Sequence, residues 1–280
     1  MTAEPPDVRR PEGLAALPAP YGPLFDRAVA VLRADERVRA VWVAGALGRG
    51  AADAASDLDL VIAVRDEDFE AFAAGWRDWL AAISPTVLAR QLPGLPGSFY
   101  ALTPTCERFD VVIERVSDFG SMPGARLPVL DRDGLHARLP AAAPRTPDPA
   151  RIADLIEECL RQAANFPTVT VRGDWLLGVV AVQEVHLMLY QLLVESNQPL
   201  PPMGPKQWSA KLTGAQAAAL AALPVPQPRR ESVLEARQAA LRAFIEEARP
   251  IAERCGVPWP EALEAAVRDF LRRELDLPLG

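Results

Sequence analysis

Asp57 and Asp59 stand two residues apart in the run Ser56-Asp57-Leu58-Asp59-Leu60, and a further carboxylate, Asp110, lies in the later run Arg108-Phe109-Asp110-Val111-Val112. Side chains at i and i+2 leave a strand on the same face, so Asp57 and Asp59 are expected to point together while Leu58 and Leu60 enter the opposite layer. Neighbouring carboxylates repel and raise one another's pKa unless a cation sits between them. Mg²⁺ is the natural neutraliser, because it takes carboxylate oxygens and fills its remaining positions with phosphates and water. Just upstream, Gly45, Gly48 and Gly50 form a turn whose backbone N–H groups can cradle phosphates. Carboxylates, metal and phosphate cradle together point to chemistry on a metal-bound polyphosphate.

Strands must hold these groups. Residues 41–44 and 57–64 are rich in Val, Ile and Ala and bounded by Gly, Asp and Ser, which predicts a strand on either side of the glycine turn. Further strands are expected over 86–91, 98–102 and 108–115. In the last of them Asp110, Val112 and Glu114 share one face and Phe109, Val111 and Ile113 the other. Asp110 can therefore complete the carboxylate set, with Glu114 one pleat further on as a reserve base. Helical spacing predicts a helix over 21–37, through Leu24, Ala28, Val31 and Leu32, and another over 68–83, with Phe69, Phe72, Trp76 and Leu80 as its core stripe.

Near residue 145 the Pro- and Ala-rich run AAAPRTPDPA separates this mixed region from one that is helical throughout. Asp148 and Pro149 form a helix start, and helices are expected over 150–164, 173–195, 207–212, 214–223, 231–255 and 261–275. The predicted organisation is a flexible tail over 1–20, a mixed domain over 21–145 and a helical domain over 146–280. The fold class is α+β: a small mixed β-sheet flanked by helices, followed by an α-helical bundle that could close the other side of a cleft.

Composition fits this plan. With 280 residues, half of them hydrophobic at 50%, the chain can build two cores. A net charge of −7 disfavours nucleic acid as a partner and favours a cationic small molecule. No apolar run approaches the roughly 20 residues of a membrane span, and the N-terminus lacks the apolar segment of a secretion signal, so a cytoplasmic protein without membrane contact is expected. Cys106, Cys159 and Cys255 lack metal-ligand spacing and read as buried or half-buried thiols. The oligomeric state is not legible.

The run GALGRGAADAASDLDL resembles the signature loop and metal strand of the nucleotidyltransferase superfamily, shared by polymerase-β-like enzymes and antibiotic adenylyltransferases: Gly-Ser, a spacer, Asp-x-Asp, and an acidic residue on a later strand. The helical half resembles the domain attached to bacterial aminoglycoside-type enzymes, through Arg172-Gly173-Asp174, Asn197 and Lys206. The resemblance implies a nucleotidyltransferase fold, with Asp57, Asp59 and Asp110 as Mg²⁺ ligands and catalytic residues. It implies ATP as substrate, contacted through Gly45, Ala46, Arg49 and Lys206. The implied reaction moves AMP to a hydroxyl of a small molecule, such as an aminoglycoside-like antibiotic in a resistance setting, and releases pyrophosphate.

Ala46 departs from the pattern, standing where the family has serine. Losing one neutral hydrogen bond costs on the order of 1 kcal/mol, which backbone amides and Arg49 can offset. Two other readings remain open: a nucleotide-binding pseudoenzyme or regulatory protein, and an enzyme that nucleotidylates a protein or RNA. A Rossmann reading fails, because the Gly-x-x-Gly-x-Gly turn leads into an Asp-x-Asp strand and not into a long helix. His186 reads as a packed helix residue and His136 as exposed, while Glu184 and Glu195 could meet an ammonium group of an acceptor.

Overall fold

Six strands form one mixed sheet in the computed structural model, which describes residues 9–120, 124–141, 144–201, 203–204 and 206–275. They are β1 (Val38–Val43), β2 (Leu58–Val64), β3 (Leu88–Gln91), β4 (Phe99–Leu102), β5 (Arg108–Arg115) and β6 (Leu127–Asp131), in the order β3-β4-β5-β2-β1-β6. β2 and β5 run parallel, and the other neighbouring pairs are antiparallel. The sheet belongs to the first of two units, Met1–Ala143; the second is Pro144–Gly280.

Strand periodicity sorts the side chains of the first unit. Leu58, Leu60, Ile62, Phe109, Val111 and Ile113 enter a core shared with α1 (Tyr21–Ala34), α3 (Phe69–Ala74) and α4 (Trp76–Ile83). The opposite face carries a smaller cluster of Ala40, Trp42, Val61, Ala63 and Leu135. Asp59 and Asp110 alternate with the large core's residues, so they belong to this second, more thinly covered face.

Several boundaries differ from expectation for local reasons. α1 stops at Ala34 because Asp35 turns extended and its carboxylate accepts from the Arg37 N–H at 3.0 Å, launching β1. The helix expected over 68–83 is broken at Gly75, whose N–H closes the first piece on Ala71 O at 3.2 Å. β6 has no counterpart among the expected strands; it is short, contains Pro128 and lies at a sheet edge, where a missing N–H is tolerated. Residues 9–20, expected as part of a loose tail, carry a helical turn over Glu12–Ala16 that buries Leu14 and Leu17. Arg9 N–H also donates to Val129 O at 3.2 Å. Residues 1–8 of that tail lie outside the described residues.

The second unit is helical: α5 (Pro149–Asn165), α6 (Pro167–Arg172), α7 (Trp175–Ser196), α8 (Gly214–Ala221), α9 (Arg230–Arg254) and α10 (Glu261–Leu275), around one core. Asp148 caps α5 through Ala150 N–H and Asp174 caps α7 through Leu177 N–H, each at 3.0 Å. The stretch expected as a helix over 207–212 is a single 3-10 turn, Ser209–Lys211. α7 corrects another expectation: at 22 residues, with a mean hydropathy of 1.6 over an 18-residue stretch, it is long and apolar enough by length and composition to cross a membrane. Val182, Val185, Leu189, Leu192 and Leu193 of this helix are buried in the unit's core.

Candidate active site

The parallel pairing of β2 with β5 sets Asp59 directly opposite Asp110. In-register residues on neighbouring strands share a face, with backbones about 4.8 Å apart, so the two carboxylates come from one spot on the sheet. Tyr100 on β4 pairs with Asp110 from the other side, while Ala44 N–H donates to Asp59 O at 2.9 Å and extends the row toward the glycine turn.

That turn is a short helix, α2 (Gly45–Gly48), in which Gly45 has φ +55. A Cβ on Gly45 would lie 1.7 Å from Asp59 Oδ2, so only glycine lets the backbone pass this close to the carboxylate. Among the described residues, no side chain caps α2. The first N–H groups of a helix have no intrahelical acceptor, which leaves the amides of Gly45 and Ala46 for other partners. Arg49 follows directly, and its Nε is buried with no hydrogen-bond partner among the described residues. An orphaned guanidinium nitrogen beside a glycine turn suits an anionic ligand.

Asp57 lies just ahead of β2, not within it. Its loop is shaped by Asp53, whose Oδ1 accepts from Ala55 N–H and Ser56 Oγ–H, both at 2.9 Å. Asp57 Oδ1 accepts from Arg108 Nη2 at 2.6 Å, and the same Nη2 donates to Ala55 O at 2.5 Å. The hydrogen bond to Asp57 pushes the Arg108 guanidinium above its ordinary pKa against the opposing effect of burial, with Asp110 adding to the rise. Arg108 N–H in turn donates to Tyr21 Oη at 3.0 Å, and burial pushes that phenol up.

The sequence-predicted residues therefore divide. Asp59, Asp110 and Gly45 come together, Ala46 and Arg49 continue the same turn, and Asp57 adjoins them but is engaged by Arg108. Lys206 is exposed in a turn of the second unit. Among the described residues, no group of three or more His, Cys, Asp or Glu is gathered so as to hold a metal ion. Asp59 and Asp110 nevertheless form the kind of oxygen-donor pair that a hard divalent cation takes, and Asp57 would join them by exchanging Arg108 for the cation.

Three expectations are corrected. Glu114 is not poised as a base: its Oε2 and Oε1 accept from Arg126 Nη1 and Nη2 at 2.7 and 2.8 Å, its Oε2 also accepts from Gly120 N–H at 3.1 Å, and the ion pair is buried. Glu195 is buried as well, and ties down the start of its own unit by accepting from Asp148 N–H at 2.9 Å and from Arg145. Cys106 is exposed at φ +67 in the turn before β5, while Cys159 is buried and Cys255 half-buried.

Sequence reasoning missed Arg108 and Tyr100. Arg108 shares Asp110's strand parity, but its pairing with Asp57 depends on the parallel register of two strands far apart in sequence. Tyr100 carries no sequence signal beyond its place on a strand.

No family model and no curated protein matches the chain. Among solved structures, an aminoglycoside 6-adenyltransferase from Bacillus subtilis is similar, with a TM-score of 0.42 and 14% identity over 88% of this chain and 95% of that one. At that level of similarity nothing about residue roles or substrate follows from it.

Proposed function

We propose that the chain is a nucleotidyltransferase that moves a nucleoside monophosphate, AMP from ATP, to a hydroxyl of a small molecule. The acceptor oxygen bonds to the α-phosphorus, the α–β phosphoanhydride bond breaks, pyrophosphate leaves, and the hydroxyl proton passes to Asp110 or to water. The observation that carries this reading is the registered pair Asp59 and Asp110 beside the Gly45 turn. Magnesium held by these carboxylates would neutralise the triphosphate and stabilise charge on the leaving group. The chain's own work is positioning, which dominates phosphoryl transfer: the Gly45 and Ala46 amides and the Arg49 guanidinium face the phosphates, and Asp110 orients the acceptor hydroxyl.

The net charge of −7 favours a cationic, hydroxylated acceptor such as an amino sugar over a polyanion, which keeps aminoglycoside-like antibiotics as the first acceptors to try. The test is mass spectrometry of a panel of hydroxylated amines after incubation with the protein, ATP and Mg²⁺. A mass increase of one AMP, lost in Asp59→Asn and Asp110→Asn, supports the reading. ATP binding with no transfer to any acceptor, small or macromolecular, supports the second reading, a nucleotide-binding protein without turnover. The engagement of Asp57 by Arg108 and the alanine at position 46 favour that second reading.

A further inference from the structure

A cavity of about 490 Å³ opens entirely within the second unit, between α7, the turn at Ser209–Lys211 and α8. That volume lies in the range of small-molecule sites. Its lining is uncharged: His186, Leu187 and Tyr190 come from α7, Trp208 from the chain before the turn, and Leu212 and Leu220 from beyond it. Tyr190 and Trp208 stack with ring centroids 4.1 Å apart and planes 10° apart, yet Trp208 remains 50% exposed. The stack is therefore a prepared aromatic platform with one large ring still open to a partner.

The polar groups define the ligand further. His186 Nε2 is buried and has no hydrogen-bond partner among the described residues, although a buried polar atom ordinarily has one. Burial holds this imidazole below its ordinary pKa, hence neutral. Gln183 and Ser209 add further hydrogen-bonding groups to the lining. With no Asp, Glu, Lys or Arg among the described lining residues, a charged ligand would lose its hydration without gaining a counter-ion.

From these features we infer that the helical unit binds a neutral, planar heteroaromatic small molecule, stacked on the Tyr190–Trp208 platform with a polar ring edge turned to His186.

The experiment uses the full chain with 2-quinolone, a neutral bicyclic lactam, as the probe, followed by calorimetry and by quenching of tryptophan fluorescence. Saturable one-to-one binding with a Kd below the millimolar range is expected. Trp208→Ala should weaken it roughly tenfold through the lost stacking. His186→Ala should weaken it several-fold, and naphthalene, which lacks the polar edge, should bind correspondingly less well to the unaltered protein. Quinoline-2-carboxylate should bind at least tenfold more weakly than 2-quinolone. Circular dichroism establishes that each variant is folded, and Trp208→Phe, which keeps a ring, should retain most of the affinity. Absence of saturable binding, or affinity unchanged in both folded alanine variants, overturns the inference.

Discussion

Arg108 Nη2 lies 2.6 Å from Asp57 Oδ1, one step along the same register that sets Asp110 against Asp59. The strand pairing that joins two carboxylates thus sets a cation against the third. Arg108 and Asp57 are 42% and 19% exposed, so water competes for the bond. Ion pairs of this exposure contribute only about 0–1 kcal/mol, and a divalent cation bound to the triphosphate can displace such a partner.

Replacing Arg108 with Gln should therefore tighten binding of Mn²⁺, used as a paramagnetic stand-in for Mg²⁺. Removing a competitor worth up to about 1 kcal/mol corresponds to a gain of up to about fivefold. Electron paramagnetic resonance of free Mn²⁺ during titration reads this directly. Unaltered affinity in the folded variant would show that Arg108 does not compete with the cation for Asp57.

Asp59→Asn and Asp110→Asn should each weaken Mn²⁺ binding by more than tenfold, because a carboxylate ligand is replaced by a neutral amide. Thermal melts establish that each variant remains folded. A loss of metal binding accompanied by a collapsed melting temperature would point to a structural role instead.

Gly45 and Gly50 offer a matched pair of substitutions. Both have positive φ, +55 and +68, so alanine at either should cost about 1–2 kcal/mol of backbone strain. Only at Gly45 does the added methyl meet Asp59, whereas at Gly50 nothing lies within 4 Å. Gly45→Ala should therefore weaken Mn²⁺ binding by rotating the Asp59 carboxylate away, and Gly50→Ala should leave it intact at similar loss of stability in urea. Equal effects on metal binding would show that the Gly45 contact does not position Asp59.

How much of this was legible in the sequence depends on the range of the interaction. Strand parity is local, and it separates Asp59 and Asp110 from Leu58, Leu60, Phe109 and Val111 as the two-residue period requires. Helix caps are local too, and Asp148 and Asp174 sit where capping chemistry puts them. The parallel register of β2 and β5 is not local, and neither is the capture of Asp57 by Arg108 across 51 residues. Glu114 and Glu195 looked available because their arginines, Arg126 and Arg145, lie 12 and 50 positions away, with nothing in the intervening sequence to announce the pairing.

The Glu114–Arg126 pair makes its own prediction. Both side chains are almost fully buried, at 4% and 3% exposure. Removing one partner leaves the other as an uncompensated buried charge, which typically costs about 3–5 kcal/mol, whereas replacing both by apolar groups is often close to neutral. Glu114→Gln should thus lower stability in urea by about 3 kcal/mol or more. The double variant Glu114→Leu/Arg126→Met should be more stable than Glu114→Gln alone, even though Gly120 N–H loses its acceptor. A double variant no better than the single one would mean that Arg126 tolerates its isolation.

His186 gives the second unit a pH response of defined sign. Burial is the cause that lowers its pKa below the ordinary histidine value of 6.5. The unfolded chain then takes up a proton at a higher pH than the folded chain does, so protonation favours unfolding. The stability that comes from keeping this imidazole neutral is fully present above pH 6.5 and is lost as the pH falls from there toward the depressed folded value. His186→Gln has no such group to protonate. Urea midpoints measured at pH 7.5 and pH 5 should therefore fall less in His186→Gln than in the parent protein, with the difference confined to the interval below pH 6.5. An equal fall in both proteins would mean that His186 titrates in the folded state as it does in the unfolded chain, and that the unpartnered nitrogen on the cavity wall is open to water.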